Sequence, residues 1–311
     1  MSDTPRFLCP KVAATFEHRE VAASYRYRPT YPDQVFETLA GLISDEPRAV
    51  LDLGCGTGFV ARPLAPLVDR IDAIDVSAAM IEEGKCLPGG DDPRLTWLVG
   101  RAESVVLHPP YALVTAGDSL HWMDWDVVLP RLAGALSPQG LLAILTVNGD
   151  VVSEDGALRQ GIVDLIRRYS TYGEWRPDFD LVAELKRRGL FGEVGRMKTD
   201  AMPFRQSVDA YVESFHARAS LSWERMATDS AAAFDAALRH FLLERVGGEV
   251  ELAVRARVVW GKPPLPPAPS PSRGEGESLR ETVSRSSPPS VERARSSEKQ
   301  FPVVAPPQWR G

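Results

Sequence analysis

Glycine recurs at every second position in Gly54-Cys55-Gly56-Thr57-Gly58, directly after the apolar run Val50-Leu51-Asp52-Leu53. Glycine has no Cβ and tolerates positive φ, so such a loop lets backbone approach a ligand closely. Other chemically capable residues stand where later apolar runs stop. Asp75 closes Arg70–Val76, Arg101-Ala102-Glu103 follows Leu95–Val99, and Asp118 to His121 follows Tyr111–Ala116. A carboxylate offers paired acceptors for hydroxyl groups. His121 titrates near neutral pH as an ordinary imidazole, which makes it a candidate general base.

The elements that must position these residues alternate. Strands are predicted at Arg48–Leu53, Arg70–Val76, Leu95–Val99, Tyr111–Ala116 and Leu141–Val147. Helices are predicted from about Phe59, at Ala78–Lys85 behind the N-cap Ser77, and at Val127–Leu136. The strands are nearly continuous in apolar residues, as in a parallel sheet covered on both faces. Short β–α connections point to a doubly wound α/β sheet, whose ligands bind outside the carboxyl ends of the strands. Before it, Glu17–Ser24 reads as helical and Tyr25-Arg26-Tyr27-Arg28-Pro29-Thr30-Tyr31-Pro32 as a rigid segment. Asp33 is placed as the cap of the next helix, over Val35–Ile43. Beyond residue 150, helices are expected at Ala157–Ser170, Pro177–Arg188, Val208–His216 and Ala231–Val246, and strands at Val194–Pro203 and Glu249–Trp260.

The 311 residues are 44% hydrophobic, enough for a sizeable core, and carry a net charge of −6, which argues against a nucleic-acid partner. No apolar run is long enough to span a bilayer, and Met1–Pro10 lacks the form of a secretory signal. Cys9, Cys55 and Cys86 are scattered, as suits free thiols in a reducing compartment. A cytoplasmic location is the expectation. The histidines (His18, His108, His121, His216, His240) lack metal-ligand spacing, so no metal is expected. The last 49 residues hold 11 of the 26 prolines, and 263–311 is expected to be a disordered tail.

The glycine spacing separates two readings of the loop. A nicotinamide fingerprint, G-x-G-x-x-G, would need its third glycine at Phe59. The observed string, Asp52-Leu53-Gly54-Cys55-Gly56-Thr57-Gly58, with Asp75 at the next strand end and Gly100-Arg101-Ala102-Glu103 at the one after, resembles class I S-adenosylmethionine-dependent methyltransferases. Residues 17–147 are most similar to the small-molecule type that includes ubiquinone-biosynthesis and trans-aconitate methyltransferases. The resemblance implies a seven-stranded sheet with an antiparallel last strand. It implies one methyltransferase domain over 1–262, with a core at 45–150, an N-terminal cover at 17–44 and an acceptor-side part at 151–262.

It also implies roles. Gly54, Cys55, Gly56 and Gly58 lie beneath the methionine part of S-adenosyl-L-methionine, and Asp52 helps hold its ammonium. Asp75 takes the ribose hydroxyls. Val76 and Met80 pack on adenine, and Ala102 and Glu103 meet its edge, with Arg101 an exposed neighbour. Tyr25 and Arg28 cover the cofactor, the arginine suiting its carboxylate. Asp118 stands at the same edge. The expected reaction is in-line transfer of a methyl group to a small organic acceptor, with a non-catalytic S-adenosylmethionine-binding protein, or a nicotinamide oxidoreductase, as alternatives. The segment Phe204–Trp223 is placed where such proteins hold acceptor-binding material. His108-Pro109-Pro110-Tyr111 looks like a motif of base and glutamine methylases but precedes its strand, at the wrong end of the sheet.

Overall fold

The computed structural model describes residues 16, 18–153, 156–171 and 179–264. The expected tail lies outside the described residues from position 265 onward, as do Cys9 and part of the predicted helix at Pro177–Arg188.

Five parallel strands build the centre: β1 (Ala49–Leu53), β2 (Arg70–Asp75), β3 (Leu95–Val99), β4 (Tyr111–Gly117) and β5 (Leu136–Val151). Three more follow: β6 (Gly192–Lys198), β7 (Met202–Ser207) and β8 (Glu249–Lys262). The order is β3-β2-β1-β4-β5-β8-β6, and β8 runs antiparallel to β5. Seven strands in this order, with the last antiparallel, match the expected architecture.

The predicted strand Val194–Pro203 is in fact two. β6 pairs with the Arg257–Lys262 half of β8, and β7 pairs with the Glu249–Val254 half. Thr199 fills the break. Its N–H donates to Ala256 O at 3.0 Å, and its hydroxyl accepts the Ala256 N–H at 2.9 Å. The backbone groups of β8 stay satisfied across the gap. Pro203 is tolerated because β7 is an edge.

Helices cover both faces: α1 (Arg19–Ser24), α2 (Asp33–Gly41), α3 (Ala61–Leu64), α4 (Ala78–Cys86) and α5 (Trp125–Ala135). Period-two alternation divides the core between the faces. Val50 and Leu113 pack with Val35, Phe36, Leu39 and Leu64 on one side. Leu51 and Val114 pack with Val128, Leu129 and Leu132 on the other. α6 (Gly156–Tyr169), α7 (Leu181–Arg187), α8 (Val208–Glu213) and α9 (Thr228–Val246) complete the chain. α6, α8 and α9 form a third cluster on Val250, Leu252 and Val254 of β8.

Several local expectations are corrected. The helix after the glycine loop is one turn, Ala61–Leu64, continued by a 3₁₀ turn at Ala65–Leu67. Pro66 has no N–H to carry the α pattern further. Asp33 is the first residue of α2 rather than its cap, and Pro32 takes the cap position. The fifth strand begins at Leu136, earlier than the expected Leu141, and so takes in Ser137–Gly140. Its register with β4 shifts between Tyr111 and Leu113. Ser77 caps α4 as expected, accepting the Met80 N–H at 3.1 Å.

Candidate functional site

The glycine loop leaves β1 through three left-handed residues, Gly54 at φ +62°, Gly56 at +55° and Gly58 at +82°. Only glycine takes such angles without strain. The three then differ in what they face. A Cβ on Gly54 would stand 2.6 Å from Ser119 Cβ, and one on Gly58 2.6 Å from the Trp97 ring. A Cβ on Gly56 would meet nothing nearer than Tyr25, at 3.8 Å. Gly56 therefore opens onto free space, while Gly58 is a packing glycine.

That space is a cleft above the carboxyl ends of β1, β2, β3 and β4. Tyr25, Arg28, Asp52, Gly54, Cys55, Gly56, Asp75, Val76, Met80, Ala102, Glu103 and Asp118 line it. Gly58 and His121 do not. Phe16, Tyr31, Phe59, Ser119, Trp122 and Met123 also line it, and sequence reasoning missed them as site residues. Tyr31 sat unread inside the aromatic–arginine segment, and Ser119, Trp122 and Met123 sat inside the segment after β4. Phe16 had no signal in its surroundings.

Asp75 is tied to the loop. Its Oδ2 accepts the Gly56 N–H at 2.7 Å and its Oδ1 accepts the Ser77 N–H at 2.8 Å. One carboxylate so fixes the glycine loop and the start of α4. Glu103 is engaged similarly, with Oε1 accepting the Asp124 N–H at 3.0 Å and Arg101 Nε 3.5 Å from Oε2.

Asp52 is buried, with 1% of its surface exposed. Thr115 donates its hydroxyl to Oδ1 at 2.7 Å, and Oδ2 has no well-formed hydrogen bond among the described residues. Burial pushes its pKa up to about 7, against the lowering effects of Thr115 and of the Ala61 backbone N–H. A buried carboxylate oxygen without a donor is costly, and a cationic ligand group in the cleft would supply one.

Asp118 holds an unusual backbone. It is the one non-glycine residue with positive φ among those described, at +49°. Its Oδ2 lies 3.9 Å from Arg28 and accepts the Val147 N–H at 3.4 Å. Burial raises its pKa, and Arg28 opposes that. Residues held in the left-handed region persist where surrounding contacts over-determine them.

A cover closes one side. α1 and the 3₁₀ turn Tyr25–Tyr27 pack on the 3₁₀ turn Ser214–Ala217, which follows α8. The Ser24 hydroxyl donates to Glu213 at 2.7 Å. Arg28 donates to the Tyr25 hydroxyl at 3.3 Å and lies 5.1 Å from its ring centre. Tyr25 in turn stacks on Phe59 at 6.2 Å, and Phe16 meets Trp122 at 5.6 Å. Of the segment Phe204–Trp223, the 214–217 turn stands behind the Tyr25–Tyr27 turn, and no described residue of the segment lines the cleft. His216 there is fully buried and stacks on Trp223 at 3.9 Å.

His121 stacks obliquely on Trp122, with ring centres 4.6 Å apart. Burial lowers its pKa to about 4, helped by the charge of Arg28. Among the described residues, no three His, Cys, Asp or Glu side chains gather to hold a metal ion. No helix there is long and apolar enough to cross a membrane.

Residues 50–140 match the family described as a methyltransferase domain. The chain is 29% identical over 185 residues to the malonyl-[acyl-carrier protein] O-methyltransferase of Halalkalibacterium halodurans, covering 55% of this chain and 65% of the relative. It is 29% identical over 191 residues to the trans-aconitate 2-methyltransferase of Methylobacterium radiotolerans, covering 58% and 66%. The match spans just under two thirds of either relative's length. In fold it is similar to a protein from Anaeromyxobacter dehalogenans described as a type II methyltransferase, with a TM-score of 0.53, 23% identity and coverage of 76% of this chain and 97% of that one.

Proposed function

We propose that the cleft binds S-adenosylmethionine and that the protein transfers its methyl group to a small organic acceptor. The observation that carries this reading is Asp52 Oδ2, buried and, among the described residues, without a well-formed hydrogen bond, beside a loop whose Gly56 leaves open space. The methionine ammonium is the donor that this oxygen lacks. Asp75 takes the ribose hydroxyls, a task that suits the paired acceptors of a carboxylate. Val76, Met80 and Ala102 form the adenine wall, and Glu103 its polar edge. Arg28 takes the methionine carboxylate.

The bound sulfonium supplies an activated methyl group. The chain's own work is to hold the acceptor in line and to exclude water. Phe16, Tyr25, Phe59 and Trp122 give the cleft an apolar wall for that purpose. The malonyl-[acyl-carrier protein] relative is named an O-methyltransferase, which supports oxygen as the acceptor atom. An acidic oxygen that is ionised at neutral pH needs no base, which suits a cleft with no histidine in its lining.

The test is transfer of labelled methyl from S-adenosylmethionine to a library of small hydroxyl and carboxylate compounds. Labelled product supports the reading. Tight cofactor binding with no transfer to any compound would leave the cofactor site and remove the enzyme.

A further inference from the structure

Tyr31 is a cleft residue with 6% of its surface exposed. Among the described residues its hydroxyl has no hydrogen-bond partner. A tyrosine hydroxyl that faces a site without a partner is poised for a ligand. Its position is also constrained from behind. A Cβ on Gly117, at the end of β4, would stand 2.8 Å from the hydroxyl oxygen. Glycine there gives the hydroxyl its room.

The chemistry of the surroundings narrows what the hydroxyl meets. Burial raises the phenol's pKa well above its ordinary value, and the carboxylate of Asp118 adds to that. The group stays protonated and is a standing donor. It therefore needs an acceptor. The methionine end of the cofactor has an ammonium, which only donates and which Asp52 serves, and a carboxylate, which only accepts. Arg28 lies on the same rigid segment, three residues away, and the two groups act on each other electrostatically.

We propose that the Tyr31 hydroxyl and the Arg28 guanidinium together form the carboxylate clamp of the cleft, with Gly117 fixing where the hydroxyl stands. This rests on the reading of the cleft as an S-adenosylmethionine site. Arg28 supplies charge and Tyr31 supplies direction. The pair makes the site selective for a ligand that keeps its α-carboxylate.

The test is equilibrium titration of S-adenosylmethionine and of its decarboxylated analogue into wild type, Tyr31→Phe and Gly117→Ala. Wild type binds the carboxylated form more tightly. Tyr31→Phe weakens that form about tenfold and leaves the decarboxylated form unchanged, as loss of a hydrogen bond to a charged group requires. Gly117→Ala shows the same selective loss, and adds nothing further in a Tyr31→Phe background. Equal weakening of both ligands, or no weakening of either, overturns the clamp. So does unchanged binding with lost turnover, which would give the hydroxyl to the acceptor. Wild type that binds neither ligand overturns the cofactor reading itself, and the clamp with it.

Discussion

Asp52 and Thr115 share one short hydrogen bond, from Thr115 Oγ1 to Asp52 Oδ1 at 2.7 Å, across the β1–β4 pair. It aligns the carboxylate and satisfies only half of it. The other oxygen is where the site and its cost meet.

Asp52 should couple cofactor binding to a proton. With its pKa near 7, the group is largely protonated below that pH and must lose the proton to receive an ammonium. Affinity for S-adenosylhomocysteine should therefore rise about tenfold per pH unit below 7 and level off above. Calorimetry in buffers of different ionisation enthalpy will read the released proton. Asp52→Asn should abolish the pH dependence and bind at least about tenfold more weakly.

The same substitution should stabilise the fold. The folded pKa of Asp52 lies above the ordinary carboxylate value. Its contribution to stability is therefore full below about pH 4 and lost as pH rises through about 7. At pH 8 the wild type holds a buried charge that asparagine does not. Asp52→Asn should be more stable there, by on the order of 4 kcal/mol, and show little gain at pH 4. Thermal melts at the two pH values check the sign.

Gly56 and Gly58 should part company. Gly58→Ala forces a methyl against Trp97 at a positive φ and should cost about 2 kcal/mol or more of stability. Gly56→Ala shares the positive-φ strain, about 1 kcal/mol, but meets no such wall, and its methyl enters the cleft. Its main effect should be on ligand affinity. Urea melts and ligand titrations of both variants, run side by side, separate a packing glycine from a cradle glycine.

How much of this was legible in the sequence follows from range. β1, its loop and Asp75 are local: an apolar run, three glycines and an acid at the next strand end. The structure places them together in the order that their spacing implied. Residues set by distant partners were less legible. Gly58 owes its place to Trp97, and the break at Thr199 owes its place to Ala256. Phe16 enters the cleft only because it packs on Tyr25 and Trp122. His121 read as a base from its position after β4, and nothing local showed that burial and Arg28 would depress its pKa.

His121 should not act as the base. An imidazole held near pKa 4 is neutral at pH 7 and accepts a proton weakly. His121→Ala should keep turnover within about threefold, with the same pH profile. A general base contributes about a hundredfold or more, so a fall of that size would restore the histidine to the reaction.

His216 should hold the cover as an imidazolium. Nδ1 lies 2.7 Å from the Leu221 carbonyl and Nε2 lies 2.9 Å from Asp235. Two acceptors call for two N–H donors. Burial pulls the pKa down, but Asp235, the Leu221 carbonyl and Glu213 outweigh it and hold it above the ordinary value. The stabilisation is fully present below about pH 6.5 and is lost as pH rises through the raised folded value. The melting temperature should fall on the alkaline side, and Asp235→Asn should flatten that fall.

The central claim is that this cleft holds S-adenosylmethionine through Asp52, Asp75 and the glycine loop. Isothermal titration of wild type with S-adenosylhomocysteine and, separately, with NAD tests it most directly. Wild type should show saturable one-to-one binding of S-adenosylhomocysteine, sharply weakened in Asp75→Ala, and no measurable heat with NAD. Binding of NAD with none of S-adenosylhomocysteine would contradict it.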